Sequence, residues 1–219
     1  ASSTMIELYT YFRSSAAYRV RIALNLKGLR YRPVPVHLLR DGGEQRQPEH
    51  LARHPLGLVP VLRTGDGTFT QSLAIIEYLD ETHRATPLLP TDPPGRARVR
   101  AIAQAIACDI HPLNNLRVLQ YLVRELGVDA PRKDAWYRHW VDEGLAALER
   151  MLVGDPRTGE FCHGDAPTLA DCCLVPQVFN ARRFECRLDD KPTILRIVEA
   201  CERLPAFRAA APENQPDVE

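Results

Sequence analysis

The chain has 219 residues, enough for one large domain or two small ones with a sizeable buried core. Its 28 lysines and arginines balance 28 aspartates and glutamates, so no global charge favours nucleic acid or an anionic membrane as a partner. No segment approaches the ~18 consecutive apolar residues of a membrane span, and no secretory signal pattern is expected at the N-terminus. The residues before Met5 are interpreted as a cloning remnant.

Residues 5–84 alternate between strand and helix patterns. A strand at about 5–10 leads into a helix at about 15–27, which Gly28 is well placed to stop. YRPVPVHL is a second strand, followed by a DGG loop and a short helix. VPVLR and FTQ are two further strands around the turn TGDGT, and the helix SLAIIEYLDETHR follows. This order predicts an α/β domain, a mixed sheet covered by helices, over residues 5–84.

The second half of the chain shows only helical patterns. Four prolines in ATPLLPTDPP predict a linker at residues 85–94, because proline so dense cannot continue a helix. Helical segments follow, and they are RARVRAIAQAIACDIHPLNNLRVLQYLVRELG with a candidate bend at Pro112, DAWYRHWVDEGLAALERML, TLADCCLVPQVFNARRF and PTILRIVEACERL. We predict an all-helical domain over residues 95–212.

The six cysteines are expected to be reduced and mostly buried. An even count is compatible with disulfides, but the chain is not small and has no C-x-x-C pair. The expected compartment is therefore the cytosol. No histidine has carboxylate or cysteine partners at metal-ligand spacing, so no metal site is predicted.

Several residues have both a structural and a functional interpretation. Ser72 can simply cap the following helix, or Gln71 and the helix N-terminus can bind a small carboxylate. The Val59–Pro60 bond is expected to be trans from composition alone; a cis bond would leave the Val59 peptide groups free to bind an extended peptide. Thr168 and Asp171 form a capping-box pattern and are interpreted as structural.

These segments together resemble a glutathione transferase. The resemblance lies in an α/β half with VP before its third strand and QS before its last helix, a proline-rich linker and a helical half. YFRSSAAYRVRIAL, DGGEQ, QSLAIIEYL and TLADCCLVPQ resemble the zeta class, the maleylacetoacetate and maleylpyruvate isomerases, over residues 5–216. The implied fold is a thioredoxin-like N-terminal domain followed by an all-α domain. The zeta class typically has SSC where this chain has Ser14-Ser15-Ala16, which affects only side reactions that need a protein thiol.

The resemblance implies glutathione as the cofactor, with its sulfur at the N-terminus of the first helix. One of Ser14 and Ser15 would donate a hydrogen bond to the thiolate, with a slight preference for Ser15, and the other would cap the helix. Arg13, beside them, offers a fork suited to a carboxylate. The further cofactor-binding positions implied by the family are Ala16, Gln45, Val59 with a cis Pro60, Gln71, Ser72, His111 and Asn115.

The implied substrate is a cis-enedioyl acid with a carboxylate at each end. Arg13, Arg117 and Arg183 are the candidate anchors, and we expect Arg13 and one arginine of the helical half, preferably Arg183, to bracket the substrate. The expected reaction is the cis–trans isomerisation of maleylpyruvate to fumarylpyruvate in gentisate breakdown, by a homodimer. The alternatives are a maleylacetoacetate isomerase, a conjugating glutathione transferase, and a non-catalytic interaction module of the same fold.

Overall fold

The computed structural model describes residues 4–219, so three of the four residues that precede Met5 lie outside the described residues. The contacts divide the chain into two compact units. The first comprises the chain up to Leu88 together with Arg203–Glu219, and the second is Leu89–Glu202. Within residues 4–219, no helix combines the length and apolar character needed to cross a membrane.

The first unit contains the predicted mixed sheet. Its four strands are β1 (Ile6–Thr10), β2 (Tyr31–Pro35), β3 (Val61–Thr64) and β4 (Gly67–Thr70), in the spatial order β2-β1-β3-β4. The β1–β2 pair is parallel, whereas β3 is antiparallel to both of its neighbours. The helices of the unit are α1 (Ser15–Leu26), α2 (Pro48–Arg53), α3 (Ser72–Thr82) and α9 (Pro205–Ala210), with short 3₁₀ turns at Arg40–Gly42, Glu44–Arg46 and Pro212–Asn214. The predicted α/β class is confirmed.

A proline and a glycine lie at two of the boundaries in this unit. The second strand ends at Pro35, earlier than YRPVPVHL predicts; β2 lies at the sheet edge, where prolines without a donor N–H are tolerated. Helix α1 ends before Gly28, whose φ of +65° lies in the left-handed region that favours glycine. The Leu29 N–H then returns to Leu24 O at 3.0 Å and closes the helix end.

The second unit is helical, apart from one isolated bridge between Thr158 and Gly164. Its helices are α4 (Pro93–Asp109), α5 (Leu116–Arg124), α6 (Ala130–Val153), α7 (Leu169–Arg183) and α8 (Pro192–Glu202). The candidate bend at Pro112 is confirmed, because a 3₁₀ turn at His111–Asn114 separates α4 from α5. The predicted capping box is also confirmed at the start of α7: the Thr168 N–H donates to Asp171 Oδ2 at 2.8 Å, and Thr168 Oγ1 accepts from the Ala170 N–H at 3.2 Å.

The last segment of the chain folds back onto the first unit. Helix α9 packs against α1, and Asn25 Nδ2 of α1 donates to Ala206 O at 3.0 Å. The six cysteines, all within the described residues, are free thiols, and four of them are buried, as predicted.

Candidate active site at one end of the sheet

Three loops of the first unit meet at the same end of the sheet. Tyr9 near the end of β1 pairs with Val61 at the start of β3, and Val61 pairs with Thr70 at the end of β4. Because these pairs are antiparallel, the turn after β1, the segment before β3 and the turn after β4 lie side by side. These loops carry eight of the predicted site residues, Arg13, Ser14, Ser15, Ala16, Val59, Pro60, Gln71 and Ser72.

Helix α1 begins with the two serines. Ser14 is the N-cap: its Oγ accepts a hydrogen bond from the Ala17 N–H at 3.2 Å, so the capping role predicted for Ser14 is confirmed. Ser15 is the first helical residue and is buried, with 4% of its surface exposed. Arg13 is exposed, and its guanidinium lies 4.9 Å from the centroid of the Phe12 ring. The first turn of α1 has no acidic residue, so its positive end is available to an anion.

The Val59–Pro60 bond is cis, as the family resemblance implies and contrary to the expectation from composition. The β1–β3 ladder begins at Val61, so it does not use the peptide groups of Val59. The Val59 side chain belongs to a buried cluster with Tyr11 and Phe12, the residues that precede Arg13. This cluster joins the Val59 segment to the turn that carries the serines.

Gln45 lies beside the same segment. Its backbone oxygen is so close to Gly57 that a Cβ on this glycine would approach it to 3.2 Å. The side chain is buried, and its Nε2 donates to Leu38 O at 3.2 Å. Its Oε1 has no hydrogen-bond partner among the described residues, although a buried amide oxygen normally accepts a hydrogen bond. Gln45 can therefore accept a bond from a ligand.

Helix α3 begins one residue earlier than a cap at Ser72 would require. Gln71 occupies the N-cap position and, within the described part of the chain, makes no side-chain capping bond. The prediction of Ser72 as the cap is therefore wrong: its buried hydroxyl accepts from Arg19 Nη1 at 3.0 Å. Gln71 is exposed and has φ +71°, a strained conformation for a non-glycine residue that is typical of functional positions.

Three predicted residues of the second unit lie in the bend between α4 and α5. His111 begins the 3₁₀ turn, Asn115 occupies the N-cap position of α5, and Arg117 is exposed in the first turn of α5. Trp136 Nε1 of α6 donates to Leu113 O at 2.8 Å and so holds this bend on α6.

Arg183 is the last residue of α7, in the same unit. Its guanidinium lies 5.2 Å from the ring centroid of Phe184, and this ring stacks on Tyr137 at 3.8 Å. Burial raises the pKa of Tyr137, and the nearby Arg183 guanidinium opposes that shift. The backbone oxygen of Tyr137 accepts from Asn114 Nδ2 at 3.1 Å. Arg183 and the bend with Arg117 thus border the same segment of α6.

The sequence did not predict the buried residues that form hydrogen bonds to the site segments. His50 Nε2 lies 2.7 Å from Leu58 O, one residue before Val59, and Arg19 holds Ser72. Arg19 and Arg21 are buried in α1, at positions where an amphipathic helix normally has apolar residues. An arginine at a position of α1 where the helical pattern requires an apolar residue indicates a buried polar contact, and this feature identifies Arg19 and Arg21 in the sequence.

Two family descriptions match the chain, the glutathione S-transferase N-terminal domain over residues 8–87 and the glutathione S-transferase C-terminal domain over residues 130–209. A probable maleylacetoacetate isomerase of Vibrio cholerae is 53% identical over 210 residues, which cover 96% of this chain and 97% of that protein. The holo structure of a maleylpyruvate isomerase, a bacterial zeta-class glutathione S-transferase, superposes with a TM-score of 0.94 at 47% identity, covering 97% of this chain and 100% of the other. A maleylacetoacetate isomerase of Methylobacterium extorquens AM1, with bound malonate and glutathione, gives a TM-score of 0.93 at 43% identity, with coverages of 97% and 99%.

Proposed function

The chain belongs to the zeta class of the glutathione transferases, the family of the maleylacetoacetate and maleylpyruvate isomerases, and we propose that it isomerises maleylpyruvate to fumarylpyruvate with glutathione as cofactor. The observation that carries this proposal is the meeting of Ser14 and Ser15, Val59, and Gln71 at one end of the sheet. These residues offer a different kind of contact to each part of a glutathione molecule.

The residues present fit glutathione as an extended tripeptide. The Val59 peptide groups, which the sheet does not use, suit the backbone of its cysteine. Gln71 and the start of α3 suit the γ-glutamyl carboxylate, because unpaired N–H groups and the helix dipole favour an anion there. The free Oε1 of Gln45 suits a donor near the glycine end. Ala16, His111 and Asn115 are proposed as further cofactor contacts.

When bound, glutathione supplies a thiolate that adds reversibly to the activated double bond and thereby allows rotation about it. A serine hydroxyl at the start of α1 donates a hydrogen bond to the sulfur, and the positive end of the helix favours its charge. Serine is too weakly acidic to act as a base near neutral pH, so both hydroxyls serve to stabilise charge. Arginine and N–H donors stabilise the negative charge that develops on the keto oxygen.

The substrate carries a carboxylate at each end and therefore needs two cationic anchors. We propose Arg13 in the first unit and Arg183 in the second, with Arg117 as the alternative to Arg183. The arginine fork binds a carboxylate through two parallel hydrogen bonds, which fixes the direction of the substrate as well as its position. An ordinary conjugating site, which receives apolar electrophiles, has no need for such anchors.

Maleylacetoacetate is the second candidate substrate. It is also a diacid with a cis-enedioyl group, longer than maleylpyruvate by one methylene. The similarity to the probable maleylacetoacetate isomerase of Vibrio cholerae favours it, whereas the similarity to the maleylpyruvate isomerase of TM-score 0.94 favours the first candidate. One methylene in a binding pocket changes kcat/KM by roughly 10–200-fold, so the two substrates are distinguishable in solution.

The test compares kcat/KM for both substrates with glutathione present and absent. We expect turnover only with glutathione, recovery of glutathione unchanged, and a higher kcat/KM for maleylpyruvate. Consumption of glutathione would instead support a conjugating transferase, and no heat of glutathione binding in calorimetry would support an interaction module. A higher kcat/KM for maleylacetoacetate would assign the enzyme to the other diacid.

The cellular setting is part of the same proposal. We place the enzyme in the cytosol, in the catabolism of an aromatic compound, as a homodimer. The six free thiols agree with a reducing compartment in which glutathione is abundant.

A further inference from the structure

A fully buried arginine lies beneath the turn between β1 and α1. The guanidinium of Arg21 donates through Nη1 to Thr10 Oγ1 at 3.1 Å and Tyr11 O at 3.4 Å. Its Nη2 donates to Phe12 O at 3.1 Å, and its Nε donates to Ala210 O at 3.0 Å. One side chain thus binds the last residue of β1, the first two residues of the turn and the end of α9.

An aspartate of the C-terminal segment binds a backbone N–H group of the same turn. The Phe12 N–H donates to Asp217 Oδ2 at 3.0 Å. Gln215 fixes this segment on the first unit, because its Nε2 donates to Ala209 O and Ala211 O, each at 2.9 Å. Burial lowers the pKa of Arg21 to about 10, and the negative charge of Asp217 opposes that shift. Arg21 therefore remains charged at neutral pH.

Arg21 and Asp217 bind the oxygen and the N–H of the same peptide group, the one between Tyr11 and Phe12, and this peptide also contacts the serine segment. The oxygen of Tyr11 accepts from Arg21 and also from the Ser14 N–H, the latter at 2.9 Å. A displacement of the Tyr11–Phe12 peptides would therefore displace the start of α1. Errors of about 1 Å in the position of a reacting group reduce catalysis by roughly 100-fold, so rigid support of this turn matters.

We propose that Arg21 and Asp217 are positioning residues that hold the Tyr11–Phe12 turn from two sides and thereby fix Ser14 and Ser15 for the sulfur of glutathione. The C-terminal segment then contributes to catalysis by fixing this turn, although none of its residues is proposed to bind cofactor or substrate. The inference rests on the proposed function, since it concerns the same site.

The test uses the full chain with Asp217→Ala, Asp217→Asn and the control Glu213→Ala. Asn keeps an oxygen that can accept from the Phe12 N–H, and Glu213 is an exposed acid of the same C-terminal segment. For Asp217→Ala we expect faster amide exchange at residues 12–15 in the free protein, a higher pKa of the bound glutathione thiol, and kcat reduced about tenfold with a smaller change in KM. Asp217→Asn should recover most of each effect, and Glu213→Ala should show none.

Two results would overturn the inference. In the first, Asp217→Ala has no more effect than Glu213→Ala on amide exchange and on the pKa of the bound thiol. In the second, Asp217→Ala lowers only the melting temperature, while kcat and the thiol pKa stay unchanged. In both cases the wild-type protein would still isomerise its substrate, so the proposed function would survive. A wild-type protein that neither binds glutathione nor isomerises either diacid would remove the proposed function and this inference together.

Discussion

At the scale of single residues, the two serines differ in what they already do in the fold. The Ser14 oxygen accepts from the Ala17 N–H and so caps α1, while its hydroxyl hydrogen remains able to donate. Ser15 lies within the helix and is buried. Loss of Ser14 therefore removes the capping bond at the start of α1, and this structural cost separates capping from stabilisation of a thiolate.

We predict that removing the donating hydroxyl, by Ser15→Ala or Ser14→Ala, raises the pKa of the bound glutathione thiol by about 1–2 units, because a hydrogen bond to a charged group contributes ~1.5–3 kcal/mol. Ser14→Ala should also lower the free energy of unfolding by about 1 kcal/mol through loss of the cap. Titration of thiolate absorbance measures the pKa, and Ser14→Thr, which keeps a hydroxyl, is the control. An unchanged pKa in both alanine variants would refute the assignment.

Arg183 provides the second prediction at this scale. Loss of one charged anchor should lower kcat/KM about 10–150-fold, and Lys should restore only part of it because it lacks the bidentate fork. The neighbouring Arg182 is a matched control: it forms an exposed ion pair with Glu202, so Arg182→Ala should leave kcat/KM unchanged. If Arg183→Ala stays within twofold of wild type while glutathione affinity is intact, the substrate is not held at both ends by these arginines.

At the scale of elements, the starts of α1 and α3 are built differently. Ser14 caps α1 with its own side chain, whereas α3 begins after a strained Gln71 whose side chain, within residues 4–219, does not cap. A strained conformation of this kind costs of order 1–3 kcal/mol and persists where the surrounding structure enforces it. At α3 it leaves the Gln71 side chain exposed and the first N–H groups of the helix available to a ligand.

We therefore predict that Gln71→Gly raises the free energy of unfolding by about 1 kcal/mol, because glycine adopts φ +71° without a Cβ clash. The same variant should weaken glutathione binding about tenfold or more, since a hydrogen bond to a carboxylate is lost. Gln47→Gly is the matched control: Gln47 is also an exposed N-cap residue, but its φ is −68°, so glycine relieves no left-handed strain there and should leave binding unchanged. Denaturant unfolding and calorimetry measure both effects, and lower stability of Gln71→Gly would contradict the account.

At the scale of the whole molecule, the chain returns to its starting unit. Residues 203–219 join the α/β unit, although the helical unit separates them from it in sequence. Helix α9 covers α1, and the segment beyond it reaches the turn before Ser14 through Asp217. The C-terminal segment therefore holds the turn that carries Ser14 and Ser15 near the start of the chain.

The family resemblance also predicts assembly. Two-domain chains of this plan form two-fold dimers, in which the same surface of each subunit is buried. We expect light scattering at micromolar concentration to give twice the 24.7 kDa mass of the chain. A mass of 24.7 kDa across that concentration range would refute the dimer.

The sequence by itself determined the features that depend on neighbouring residues. The alternation of strands and helices, the capping box of Thr168 and Asp171, and the bend at Pro112 all follow from local periodicity, side-chain reach and a missing N–H. The resemblance of its motifs supplied the family. Only the tertiary structure decided which buried polar groups meet: Arg19 with Ser72, 53 residues apart, Arg21 with Ala210, 189 apart, and Phe12 with Asp217, 205 apart. Such contacts depend on sheet register and on how helices pack, and no local pattern specifies a partner at that distance along the chain.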